Sequence, residues 1–150
     1  MSKISFLSII FLSVMLSSCG FHAPYKSQDI NVNIIGNTSN EFVTALSSHL
    51  NKDTGATLNI KISDETKTKK NASFDSSGNV KSYTLGISVD VEVLDSYNTL
   101  IMKEQLFTSS HHTAMSSTQA DTLQSEEAYS NLRETIIKKL LRRLHRLNES

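Results

Sequence analysis

Between Tyr83 and Val93 apolar and polar residues alternate without a break. Tyr83, Leu85, Ile87, Val89, Val91 and Val93 hold the odd positions, and Thr84, Gly86, Ser88, Asp90 and Glu92 the even ones. A strict period of two over eleven residues is incompatible with a helix stripe. It describes a strand with one face in a core and one toward water. The rest of the chain must supply something to cover that apolar face, and neighbours for both edges.

The flanking segments meet both needs. Ile30, Val32 and Ile34 alternate with Asn31 and Asn33, and Gly36-Asn37 ends that short strand. Thr38 and Glu41 have capping-box spacing, and Phe42, Val43, Leu46 and Leu50 follow at helical spacing, which predicts a helix over 39–51. Leu58, Ile60 and Ile62 alternate again. A strand, a helix and a second strand of these lengths form a crossover unit, whose strands run parallel. Past Ser63 the alternation continues through Glu65–Lys70 without apolar residues, in a lysine-rich pattern suited to a sheet edge, and 75–79 has turn chemistry. After a second turn at Asp95-Ser96-Tyr97-Asn98, Leu100–Phe107 reads as a less regular strand. The strands at 58–62, 83–93 and 100–107 then form an antiparallel meander. Residues 108–119 read as a strand end and a polar loop. From about Asp121, Leu132, Ile136, Ile137, Leu140, Leu141 and Leu144 form one helix face, with Lys138, Lys139, Arg142, Arg143 and Arg146 opposite. The expected order is β-α-β-β-β-α, an α+β fold on a four-stranded mixed sheet.

The first twenty residues determine how the domain is delivered. Lys3 is followed by an apolar run, Ile4–Leu16, and then by Leu16-Ser17-Ser18-Cys19-Gly20. Thirteen residues are too few to span a bilayer, which takes about 20, so the run reads as a secretory signal. Small residues directly ahead of the chain's single cysteine resemble the bacterial lipobox, in which the Cys19 thiol is acylated before cleavage; the plainer alternative is an ordinary signal followed by a buried cysteine. Residue 20 is Gly, and in lipoproteins of this kind the absence of Asp there points to the outer membrane. The chain thus divides into a signal at 1–18, a lipidated tether at 19–29 containing Pro24, and a domain at 30–150.

Composition narrows the function. Without 1–18 the chain has 132 residues, one domain's worth, with 14 basic residues against 15 acidic ones. That balance gives no electrostatic basis for nucleic-acid binding. With Cys19 acylated no thiol is left for a disulfide or a zinc site. No Gly-x-Ser-x-Gly, phosphate-binding glycine loop or His-Glu-x-x-His is present, so no catalytic motif and no cofactor is expected. His111 and His112 are adjacent on a strand and face opposite ways, which prevents them from chelating one ion. Asp90 and Glu92 share a strand face and read as solvated.

Cys19-Gly20-Phe21-His22 after the signal, Tyr83-x-Leu85 after a glycine-containing turn, and Glu126-x-x-Tyr129 leading to Leu140-Leu141-x-x-Leu144 occur in this order of elements. Together they resemble the LptE family of lipopolysaccharide-assembly lipoproteins, over nearly all of the mature chain. The resemblance implies an α/β sandwich with two helices on one face of the sheet. It implies a non-catalytic protein of the outer membrane, facing the periplasm. Its partners would be the lipopolysaccharide-assembly β-barrel LptD, whose lumen it would plug, and lipopolysaccharide. Lys67, Lys69, Lys70 and Lys81 flank the turn between the second and third expected strands. They are the candidates for contacting lipopolysaccharide phosphate, against the plainer reading that they protect a sheet edge.

Overall fold

A computed structural model describes residues 31–35, 40–50, 55 and 57–148. The signal, Cys19, the tether, Ile30 and Thr38 lie outside the described residues. The elements are β1 (Val32–Ile35), α1 (Glu41–Ser47), β2 (Leu58–Ile62), β3 (Thr66–Phe74), β4 (Val80–Asp95), β5 (Leu100–Thr113) and α2 (Thr118–Asn148).

β4 is the strand on which the others assemble. β5 runs antiparallel along one of its edges, from Ser82↔Thr113 to Leu94↔Leu100. β2 and β3 share the other edge end to end, β3 pairing with the first half (Thr66↔Ser88, Lys69↔Leu85) and β2 with the second (Ile60↔Val93). β1 adds to β2 in parallel, with Val32 opposite Leu58, as the crossover reading expects. The result is an α+β fold on a mixed sheet.

Two expectations are corrected in the sheet. It has five strands rather than four, because the lysine-rich run is a full strand of its own. β5 also runs six residues past the expected 100–107, to Thr113, so the strand end read within 108–119 is longer than the loop that follows it. Both corrected segments lack apolar patterning, and β4 holds both by backbone hydrogen bonds, which need no apolar side chains.

The odd positions of β4 are buried as expected: Leu85, Ile87, Val91 and Val93 are fully inaccessible and Tyr83 and Val89 nearly so. Phe42, Val43 and Leu46 of α1, and Leu132, Ile136, Ile137, Leu140, Leu141 and Leu144 of α2, complete this core. Both helices therefore cover one sheet face. The even positions are drier than the alternation suggests, with only Asp90 of them fully exposed. A central strand is shielded by its neighbours on both faces. At Gly86 a Cβ would come within 2.7 Å of the Thr68 hydroxyl and 3.1 Å of the Phe107 ring, so the outer face closes over this glycine.

The helix starts differ from the sequence reading. The cap seen on α1 is Asn40: its Oδ1 accepts from Phe42 N at 2.8 Å while its Nδ2 donates to the Ser63 carbonyl. Asn40 thereby joins the helix start to the end of β2, and Glu41 is released for other contacts. α2 starts at Thr118, three residues before Asp121.

Candidate functional site

The four candidate lysines do not share one face. In antiparallel pairs opposite residues point the same way, so Lys67 (opposite Ile87) and Lys69 (opposite Leu85) face the helices, and Lys70 (opposite Thr84) faces outward. The β-bulge near Asn71–Ser73 further separates this run from Lys81, which is exposed at the start of β4 and whose carbonyl accepts from Ala114 N.

The two inward lysines are paired. Lys67 Nζ lies 2.9 Å from Glu41 Oε2 and 3.6 Å from Glu65 Oε1, and 5.6 Å from the centre of the Tyr129 ring. Lys69 Nζ lies 2.8 Å from Asp121 Oδ2 and only 3.9 Å from the Tyr83 ring centre, a cation–π contact. Lys70 and Lys81 have no carboxylate partner among the described residues.

Around Lys69 a polar knot joins the sheet to the start of α2. Tyr83 Oη donates to Asp121 Oδ1 at 2.9 Å and lies 3.3 Å from Ser125 Oγ, and Met115 N donates to the same Asp121 oxygen. The Tyr83 hydroxyl is thus satisfied, as a phenol at the rim of an apolar core must be. The hydrogen bond from Lys69 and the amide of Met115 hold the Asp121 carboxyl below its usual range, and the same pairing raises Lys69. His112 stacks beside Tyr83 at 6.0 Å, whereas His111 is exposed on the opposite face. Among the described residues no group of three or more His, Cys, Asp or Glu side chains is placed to hold a metal ion.

A second knot is absent from the sequence reading. Arg133 of α2 holds Glu65 in a fork, Nε to Oε2 at 2.7 Å and Nη2 to Oε1 at 3.0 Å, and its Nη2 also reaches Glu41. The Arg133 side chain is 12% exposed and that of Glu65 5%. The fork binds α2 to the β2–β3 junction, and Glu41 adds the start of α1. The hydrogen bond and charge of Lys67, together with the charge of Arg133, hold the Glu41 carboxyl low. The available signal was positional: Tyr129, Arg133, Ile136 and Leu140 follow at helical spacing, so Arg133 falls beside the buried stripe, where an arginine needs a partner.

Asp121 and Glu41, both with carboxyls held low, stabilise the fold above the ordinary carboxylate range. That stabilisation disappears as pH falls through their lower folded values. Unfolding midpoints in urea should therefore be level from about pH 7 to 5 and fall below about pH 4, where carboxylates protonate. Asp121→Asn should give a shallower acid decline than the wild type; an unchanged pH profile would remove Asp121 from the account.

Each of these charged groups links one layer of the sandwich to another. The fold they hold together is found in several bacterial lipoproteins of known structure. Lipoprotein B from Nitrosomonas europaea superposes with a TM-score of 0.66 at 19% identity, over 87% of this chain and 94% of that one. Rare lipoprotein B from Shewanella oneidensis gives 0.68 at 11% identity, over 78% and 95%, and a minor lipoprotein from Acinetobacter baumannii gives 0.56 at 11%, over 75% and 88%. Residues 27–144 match the LptE family, described as lipopolysaccharide-assembly, and the chain belongs to that family. No curated protein matches the sequence.

Proposed function

We propose that the chain is a non-catalytic outer-membrane lipoprotein, anchored through Cys19, that occupies the lumen of the lipopolysaccharide-export barrel LptD, assists its assembly and binds lipopolysaccharide. The observation that carries this reading is the family match, which spans almost the whole described domain. The outward side chains are compatible with it. Asn33, Lys61, Lys70, Asp90, Ser109 and His111 put polar groups on the outer sheet face beside the exposed Ile35 and Phe107, and the wall of a barrel lumen is itself polar.

Of the four lysines, Lys70 and Lys81 are the ones whose ammonium groups stand ready for lipopolysaccharide phosphate. Lys67 and Lys69 would have to exchange a carboxylate for it. Changing Lys70 and Lys81 to Ser should weaken lipopolysaccharide capture, more so at low salt, because exposed charges are screened beyond roughly 8 Å at physiological ionic strength. Lys67→Ser and Lys69→Ser should lower the unfolding midpoint as well. Equal capture by the Lys70/Lys81 variant and the wild type would remove lipopolysaccharide binding from these residues.

The barrel itself is tested by affinity purification from detergent-solubilised outer membrane. A heat-modifiable barrel should come with the chain in fixed ratio, and depletion of the chain should lower the amount of assembled barrel. If no barrel co-purifies and its level is unaffected, the chain is an envelope lipoprotein with another partner. Cys19→Ala should abolish labelling by fatty acid; persistent labelling would exclude the anchor.

A further inference from the structure

The two hairpin turns of the meander share one backbone design. In the β3–β4 turn Asp75 Oδ1 accepts from Ser77 N and Asn79 N, each at 2.8 Å, Asp75 N donates to Asn79 O, and Gly78 N to Asp75 O. In the β4–β5 turn Asp95 Oδ1 accepts from Tyr97 N and Thr99 N, again at 2.8 Å, Asp95 N donates to Thr99 O, and Asn98 N to Asp95 O. The fourth residue has positive φ in both, 84° at Gly78 and 62° at Asn98. Each carboxylate fixes its loop, so the tips differ only in what they display. Ser76-Ser77 caps the first turn and Ser96-Tyr97 the second.

The second tip is apolar and open. Tyr97 is 88% exposed, Leu100 52% and Ile101 44%. The nearest charges in register are Glu92 and Lys103, paired at 2.7 Å, and Lys61 opposite Glu92, and the Asp95 carboxylate is engaged by the turn. This is also the end at which the chain enters the sheet, since Val32 lies opposite Leu58 and Leu58 opposite Asp95. From Asn31 back to Cys19 is twelve residues, a reach of at most about 40 Å. A lipid on Cys19 therefore holds this end within about 40 Å of the bilayer, while the β3–β4 end lies the length of β4 farther from the point of attachment. A tyrosine with an apolar ring and a polar tip suits the headgroup region.

We propose that Tyr97 and Leu100, with Ile101 behind them, seat the β4–β5 turn on the phospholipid leaflet that holds Cys19, orienting the domain before it meets its barrel. The proposal rests on the reading of Cys19 as the lipidated residue. Phe74, also exposed but beside the opposite turn, is the internal control.

The sequence contains no tryptophan and one cysteine, so Tyr97→Trp and Phe74→Trp each give a single reporter. The chain from Cys19 onward is coupled through that thiol to vesicles of phosphatidylethanolamine and phosphatidylglycerol containing a maleimide-headgroup lipid. The Tyr97→Trp emission should shift to shorter wavelength and be quenched by brominated acyl chains, with the Phe74→Trp emission as in solution. A Tyr97→Trp reporter that stays water-exposed, or an equal shift at both positions, overturns the proposal. Chemical coupling keeps this readout independent of cellular acylation. A wild-type chain that takes up no labelled palmitate overturns the anchor, and the proposal with it, as a separate result.

Discussion

Arg133→Met should lower the unfolding free energy by about 3 kcal/mol, the scale on which removing one partner of a buried ion pair destabilises a fold. The loss comes from what remains rather than from the missing contact. Glu65, its side chain only 5% exposed, would keep a carboxylate with its fork-shaped donor gone and only Lys67, at 3.6 Å, to face it. The same substitution cuts the link from α2 to the β2–β3 junction. Adding Glu65→Leu should restore much of the stability, because a buried pair replaced by apolar groups of similar volume is often close to neutral. Urea unfolding of the two variants measures this. A single variant within about 0.5 kcal/mol of wild type, the usual range of a surface change, would mean that the fork carries no structural role.

Val89→Asp should be harsher than its neighbour Ser88→Asp, although the two substitutions introduce the same residue one position apart. Val89 is 1% exposed in the centre of the core, so the variant loses an apolar contact and must bury an unpaired carboxylate or hold it protonated. A cost of about 4 kcal/mol or more is expected, at the extreme of single substitutions. Ser88 is half-buried on the outer sheet face, where a carboxylate can keep water contact, and its cost should stay near 1 kcal/mol, the ordinary value for a point change. Equal midpoints for the two would show that β4 does not have the register described here.

Elements whose pattern follows from burial were legible in the sequence. The alternation at Tyr83–Val93 and the stripe from Leu132 to Leu144 depend on which side chains leave water, and the parallel pairing of β1 with β2 follows from the crossover between two such strands. β3 and the second half of β5 do not: Lys67-Thr68-Lys69-Lys70 and Thr108–Thr113 are strands because β4 offers them hydrogen-bond partners. The lysines were found, but their directions were not, since direction is set by register against β4. That is why Lys67 and Lys69 turn inward onto Glu41 and Asp121 while Lys70 turns out. Arg133 shows the complementary gap, because its partners lie 68 and 92 residues away, beyond the reach of any local pattern.

The shared edge of β4 also divides the sheet by sequence distance. β3, β4 and β5 are joined by two short turns with prearranged backbones, so their pairing closes small loops. β1 meets β2 only across a separation of 26 residues, and α2 returns to β3 from farther still. Loop-closure entropy rises with the logarithm of length, and contacts between distant segments are slow to form. The meander is thus the cheapest part of the sheet to nucleate, and β1 must find an edge that already exists. The segment carrying Cys19 leads directly into β1, so any lipid at that cysteine is joined to the meander through two long-range pairings in series, β1 with β2 and then β2 with β4 across 29 to 37 residues (Ile62↔Val91 to Leu58↔Asp95).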